Sequence, residues 1–435
     1  MGTLIRPSPT SELMYREITK KKAKQVDVKE DYIPFLHPEP DFLSNDYISL
    51  DFSQGCFTLF IAPPGSGKTF ALRGFIGQLI AMGYQVIGLS DIKNDFLYSH
   101  KPVQEKYQDS LPPWREPKGL PILPVIPYYL KMKQRSVRPP QGVEFFQVAI
   151  KEIDVIDIIK SYLELEEAGP QAQLLKQVWQ PNNPPKDVIN LMRRIDRVNT
   201  TMSKRFGFTD NLSFQKNTIV PVKRALTTIL LEKIIGGEKN LDIIEALSNG
   251  RFVDLCFNHD RQYYREHSLY IAAIIRIVKR AKTLTRKLEG RTVFVFDDMG
   301  TLACPKKREP SCKDLIINDL ISLGRASPMN AYIIGCTQNL AQIPEEIIAQ
   351  VKHFVFFSAV SGTDIDIIAR VRNAKPSQLR ELMAKRDPST GRLRQPVTLS
   401  NGTRSVLVWS TGEGGMRGRI SYGWVPAPSS YVPGE

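Results

Sequence analysis

Cysteine is scarce in this chain: there are five in 435 residues, at positions 56, 256, 304, 312 and 336, with no C-x-x-C pair and no histidine cluster beside them. That odd, scattered set argues against a disulfide framework and against a zinc site, and fits small buried residues in a reducing compartment. Long hydrophobic runs are missing as well. No stretch of eighteen apolar residues occurs, which argues against a membrane-spanning helix. The opening segment MGTLIRPSPTSELMYREITKKKAK has no apolar centre of a signal peptide, and Arg6 stands where a myristoylation signal needs Ser or Thr. A soluble, cytoplasmic protein is expected. No internal repeat of fixed period is apparent.

What is abundant is positive charge. The net charge is +14, on an ordinary globular background of 42% apolar and 24% charged residues. Such a surplus favours a polyanionic partner, because lysines and arginines release condensed counterions from phosphates. It is spread over 20–24, 131–138, 193–205 and 276–287 rather than held in one tail.

Residues 1–45 are polar and punctuated by proline, and read as an N-terminal arm. Beyond them come short apolar runs of the kind that form buried parallel strands: 56–61 (CFTLFI), 85–89 (QVIGL), 252–257 (FVDLCF), 292–296 (TVFVF), 332–336 (YIIGC) and 353–357 (HFVFF). Helical patterning follows most of them, which predicts an α/β fold with helices on both faces of a sheet. The gap between the second and third runs exceeds one crossover. Residues 100–141 are dense in proline and read as an irregular loop. Residues 143–248 read mainly as helices, including an apolar face at Ile153, Ile156, Ile159 and Leu163, so 101–250 is taken as an insertion. Residues 267–288 predict an amphipathic helix with Ile271, Ile274, Ile275 and Val278 on its apolar stripe. Lys279, Arg280, Lys282, Arg286 and Lys287 gather towards its end, as a solvated face that suits the helix dipole or as a DNA-facing one.

The strongest chemical signal is Ala62-Pro63-Pro64-Gly65-Ser66-Gly67-Lys68-Thr69, followed by Phe70, between an apolar run and a helical pattern. It fits the Walker A phosphate-binding pattern with alanine in place of the first glycine. Gly65 and Gly67 permit backbone angles that turn N–H groups inward, and the helix start adds partial positive charge. Lys68 is placed to reach the β- and γ-phosphates of ATP, and Thr69 to offer its hydroxyl to Mg2+. The run at 292–296 ends in Asp297-Asp298, which supplies carboxylates at a strand end. Asp297 is assigned to the metal through water and Asp298 to polarising the attacking water. The strand at 332–336 leads to Thr337-Gln338, whose amide can sense the γ-phosphate. Arg325, just before that strand, is a candidate for an arginine that completes a neighbouring subunit's site.

Taken together, these blocks resemble the HerA–FtsK superfamily of DNA-pumping ATPases, and within it the HerA branch. The resemblance spans about 50–95 and 240–410. Besides the Walker motifs it is carried by LSDIKND after the second strand, by LSNGRFVDLCF, by GRASPMNAYIIGCTQNLAQIPEEIIAQVKHFVFF, and by the closing strand region at 399–409 with Gly402. It implies a RecA-like P-loop core in two parts, 46–100 and 251–410, around the largely helical insertion, with a tail at 411–435. It also implies a ring, usually hexameric, that threads double-stranded DNA, with nucleotide between subunits. Asp298 stands where glutamate is usual, and Asn339-Leu340 follows Gln338 in place of a frequent arginine-proline pair. Fifty residues before the core leave no room for the N-terminal β-barrel of cellular HerA proteins, which fits a packaging or conjugation motor. Two other functions compete: a P-loop ATPase of protein secretion or remodelling without DNA, and a nucleotide-binding scaffold with little turnover.

Overall fold

The computed structural model describes residues 31–428 apart from short breaks and the longer segments 131–142, 151–168, 206–215, 300–312, 381–403 and 412–418. The arm before residue 31, the basic cluster at 131–138, the helical reading around 153–163, most of the LSDIKND segment, and 399–402 of the closing segment fall outside the described residues.

All six predicted runs are strands. They are β3 (Phe57–Ile61), β4 (Gln85–Asp91), β7 (Phe252–Cys256), β8 (Thr292–Phe296), β9 (Ala331–Thr337) and β10 (Val351–Phe356). With β5 (Ile122–Pro127), β6 (Glu144–Phe146), β11 (Ser405–Ser410) and β12 (Arg419–Trp424) they form one ten-stranded sheet, ordered β12-β11-β10-β3-β9-β8-β4-β7-β5-β6. From β10 to β6 every neighbour is parallel, and β11 and β12 close the other side as antiparallel strands. Alternation along each strand splits the core. Phe57, Leu59, Phe294, Phe296 and Ile333 pack on one face, and Phe60, Val293, Val295, Tyr332 and Ile334 on the other. Because both faces are buried, the strands show as continuous apolar runs.

Several segments read as irregular turn out to be strands. Residues 122–127, within the proline-dense stretch, form β5 (Ile122–Pro127), which pairs with β7 and with the short β6 (Glu144–Phe146). The insertion therefore extends the sheet as well as carrying helices. The expected arm contains β1 (Tyr32–Leu36), paired with β2 (Ile48–Asp51), and the expected tail contains β12. Phe35 and Phe52 pack on Phe75 of α1 (Lys68–Ala81), and Phe52 stacks on Tyr332, so this hairpin is core. At the other end of the chain, Arg115 is buried and donates to the carbonyls of Ala427 and Pro426 at 2.8 and 3.4 Å. Burial lowers its pKa to about 9, which leaves it charged at neutral pH. Gly74 of α1 lies so close that a Cβ there would sit 2.6 Å from the Arg115 guanidinium.

The amphipathic helix is α6 (Tyr264–Thr283), and its predicted stripe, Ile271, Ile274, Ile275 and Val278, is buried. Of its basic cluster, Arg276 and Lys279 pair with Asp319 of α7 (Lys313–Arg325) at 3.0 and 2.8 Å. Lys282 donates to the Gly290 carbonyl at 2.7 Å. Arg286 and Lys287 lie past the helix end and are exposed.

His353 on β10 links the hairpin to the sheet, hydrogen-bonding the Asp51 carbonyl at 2.9 Å and the Ser410 hydroxyl at 2.8 Å. A neutral ring satisfies both contacts, with Nε2 donating to the carbonyl and Nδ1 accepting from the hydroxyl. Burial lowers its pKa to about 4, and that of His267 on α6 to about 3. Both folded values lie below that of an unfolded histidine, so stability is complete above ~6.5 and drains away as pH falls towards the folded values. Urea midpoints are expected to fall between pH 7.5 and pH 5, each histidine contributing about 2 kcal/mol, and His353→Gln to reduce that fall.

Candidate functional site

Parallel strands end at the same edge of a sheet, and three loops with polar side chains leave this edge. β9 lies between β3 and β8 and pairs with both, Ile61 opposite Thr337 and Phe296 opposite Gly335. Ala62 N–H then donates to the Thr337 carbonyl at 3.0 Å, carrying the ladder one step beyond β3. The loop at 62–69, the Thr337-Gln338 turn and Asp297-Asp298 therefore stand side by side.

The loop has the expected backbone. Gly65 and Gly67 take φ of 72° and 84°, a left-handed region that side chains disfavour. Gly67 caps α1, so the first N–H groups of that helix have no acceptor within the helix. Pro63, Pro64 and Gly65 are exposed, Ala62 is buried, and Ser66, Thr69 and Phe70 are intermediate. The Ser66 hydroxyl is buried with no hydrogen-bond partner among the described residues.

Lys68 is the link between loop and strand end. Its ammonium donates to the Asp297 carbonyl at 2.6 Å and lies 3.6 Å from the Asp297 carboxylate, across 229 residues of sequence. Burial alone pulls this ammonium towards neutrality, and the acidic groups around it, Cys336 first and then Asp297 and Asp298, more than offset that and hold its pKa above the usual lysine value. Cys336 is itself fully buried and its pKa is pushed up, so it stays a neutral thiol and the two carboxylates carry the attraction. Asp297 is buried, while Asp298 is partly exposed.

Gln338 is exposed, one residue beyond β9. Its turn is fixed from both sides. The Thr337 hydroxyl donates to the Asn339 carbonyl at 2.9 Å, and Asn339 caps Ala341 N–H at 2.8 Å. Asp364, near the start of α9 (Gly362–Val371), accepts from Leu340 N–H at 3.2 Å. Arg325 stands apart. It ends α7, and its neighbour Gly324 presses on the ring of Phe57, where a Cβ would be 2.1 Å from a ring carbon. Phe57 begins β3 and the loop follows its end, so the end of α7 lies roughly a strand length, ~13 Å, from the loop at 62–69. Its side chain lies outside the described residues.

One neighbour of the loop belongs to no motif. Arg404, just before β11, donates to the Gly65 carbonyl. No local pattern in NGTRSVLVW announces it, since the contact depends on the direction in which β11 runs.

No family model matches the chain, and no curated protein matches it either. Solved structures do. The plasmid coupling protein TrwB, in complex with the non-hydrolysable GTP analogue GDPNP, is 11% identical with a TM-score of 0.50, over 96% of this chain and 94% of that one. VirB4 of Thermoanaerobacter pseudethanolicus is 13% identical with a TM-score of 0.49, over 91% of this chain and 96% of that one. B204, the DNA-packaging ATPase from Sulfolobus Turreted Icosahedral Virus, is 9% identical with a TM-score of 0.32, over 85% and 98%. At these identities a likeness speaks for the fold alone, and the TrwB match, at a TM-score of 0.50, carries it. The fold is the α/β RecA-like P-loop fold.

Gly67 and Gly83 share a φ of 84°, but an added Cβ would lie 2.9 Å from Arg404 at the first and meet nothing within 4 Å at the second. Gly67→Ala is expected to weaken a fluorescent ATP analogue at least tenfold in an equilibrium titration. Gly83→Ala should cost about 1 kcal/mol of stability and leave that affinity alone.

Proposed function

We propose that this chain is an ATP-hydrolysing motor of the HerA–FtsK type that translocates double-stranded DNA, working as a homo-oligomeric ring. The observation that carries this reading is the meeting of Lys68 with Asp297 beside the Gln338 turn at one sheet edge. In this reading the N–H groups of Gly67 to Phe70 and the Lys68 ammonium hold the triphosphate. Thr69 and Asp297 are the Mg2+ residues, and their hydroxyl and carboxylate oxygens suit a hard cation. When bound, the ion supplies charge neutralisation on the transferred phosphoryl group. Asp298, partly exposed, polarises the attacking water, and Gln338 orients it and reports the γ-phosphate. Arg325, set back from its own loop by about the length of β3, serves the neighbouring protomer. This is the reason for a ring, with six subunits as the expected number.

A net charge of +14 supports a DNA partner. One observation favours the protein-remodelling alternative instead. Arg276, Lys279 and Lys282, three of the most concentrated cations, are committed to Asp319 and the Gly290 carbonyl. Among the described residues no helix is long and apolar enough to cross a membrane.

The two readings part in one assay. ATP hydrolysis is expected to rise with linear duplex DNA, and the stimulation to weaken steeply between 50 and 200 mM salt, as phosphate-dominated binding does. A rate indifferent to DNA at every salt would favour the remodelling reading. Arg325→Ala should keep nucleotide binding and lose turnover at least a hundredfold, since an arginine supplied in trans acts on the transition state. Normal turnover in that variant would remove the shared-site role.

A further inference from the structure

β11 runs antiparallel to β10, with Leu407 opposite Phe356 and Ser410 opposite His353. Its first residues therefore lie at the edge where β3 and β10 end, which is the phosphate edge. Arg404 enters there. Its backbone is fixed on one side, because Val425 N–H donates to its carbonyl at 2.8 Å just after β12. Its side chain crosses to the loop and gives an N–H to the Gly65 carbonyl across 339 residues of sequence.

The contact is made on the outside of the loop. A nest that turns its N–H groups towards an anion turns carbonyls the other way. The Gly65–Ser66 peptide is then held at both ends, with Gly65 C=O on Arg404 and Ser66 N–H on the Pro63 carbonyl at 3.2 Å. The guanidinium also lies along Gly67. A Cβ at that residue would come within 2.9 Å of Nη1 and 3.1 Å of Cδ. Glycine at 67 thus serves two needs, its left-handed backbone and room for the arginine. A guanidinium has five donors in a rigid plane, so one bonded to a carbonyl keeps charge and further donors beside the loop.

We propose that Arg404 is a positioning residue for the nucleotide: it locks the Gly65–Ser66 peptide so that the loop is preformed for a triphosphate, and adds a fixed positive charge beside it. This rests on the reading of the loop as an ATP site. Such a residue acts on binding more than on the chemical step, because it lies behind the loop and away from Asp298 and Gln338.

The test uses the full chain, a fluorescent ATP analogue and steady-state hydrolysis. Arg404→Ala is expected to weaken analogue binding roughly ten- to a hundredfold, the range for losing a charge-assisted hydrogen bond, and to raise KM alike while kcat changes less than about threefold. Arg404→Lys, which keeps the charge and loses the planar fork, should recover part of the affinity. Arg404→Gln, which keeps the packing of the stem and loses the charge, should behave like alanine. It serves as the deciding variant if Arg404→Ala does not fold. Unchanged analogue affinity in a folded Arg404→Gln would overturn the proposal, as would a loss confined to kcat or to thermal stability. If the wild-type chain itself binds no analogue, the ATP-site reading fails first. If wild type binds, Lys68→Ala does not, and Arg404→Gln binds like wild type, then the ATP site stands and Arg404 has no part in it.

Discussion

A parallel ladder allows no choice about where its strands end. Once β3, β9 and β8 are neighbours in that order, the residues after each must share one edge, however far apart they lie in sequence. The ladder step from Ala62 N–H to the Thr337 carbonyl fixes the height of the loop against the Gln338 turn, and the Lys68 contact fixes it against Asp297. The rest of the site follows from these two contacts. A register slip of one residue would exchange the side chains that pack on the two faces of the sheet, so core packing is what holds the polar groups in place. The site is built from strand ends, and the core that supports it is built from strand middles.

The interposed strand also has an electrostatic result. Lys68 lies in a half-dry setting where its charge is favoured by two carboxylates, and the pair Lys68–Asp297 shields each partner from an unpaired burial. On the proposed function, a substrate carrying phosphates and a divalent ion would replace that pair without leaving either charge alone, Lys68 holding the phosphates and Asp297 the ion. An arrangement of this kind is ready for ligand without a stranded charge beforehand.

Much of this was legible in the sequence because buried parallel strands are apolar throughout, and glycines at two left-handed positions before a Lys-Thr pair have few other uses. Two of the strands that escaped notice share a cause. β1 carries Pro34 and β5 carries Pro124 and Pro127, and proline inside a run argues against a strand because it cannot donate to a ladder. Register explains the exception in β5: Pro124 lies opposite Asp254 of β7 and beyond the start of β6, where one side of the ladder is open. The short β6 has too few residues to show any period. Arg404 could not be read at all, because its role depends on the antiparallel turn-back of β11, a property of topology and not of local pattern. The same holds for the cations of α6, whose periodicity gives a basic cluster but not the Asp319 that occupies two of them.

The burial of Arg115 has a mechanical side. Its guanidinium grips the carbonyls at 426 and 427 while its flank rests on Gly74, in the middle of the helix that begins at the phosphate loop. An ion without water around it cannot exchange partners as a surface lysine does, so the joint is stiff. Tension applied to the last described residues would be delivered to that helix as a displacement instead of being lost in a compliant surface loop. Residues 426 and 427 and the helix that follows the glycine loop are thereby joined through a single buried guanidinium.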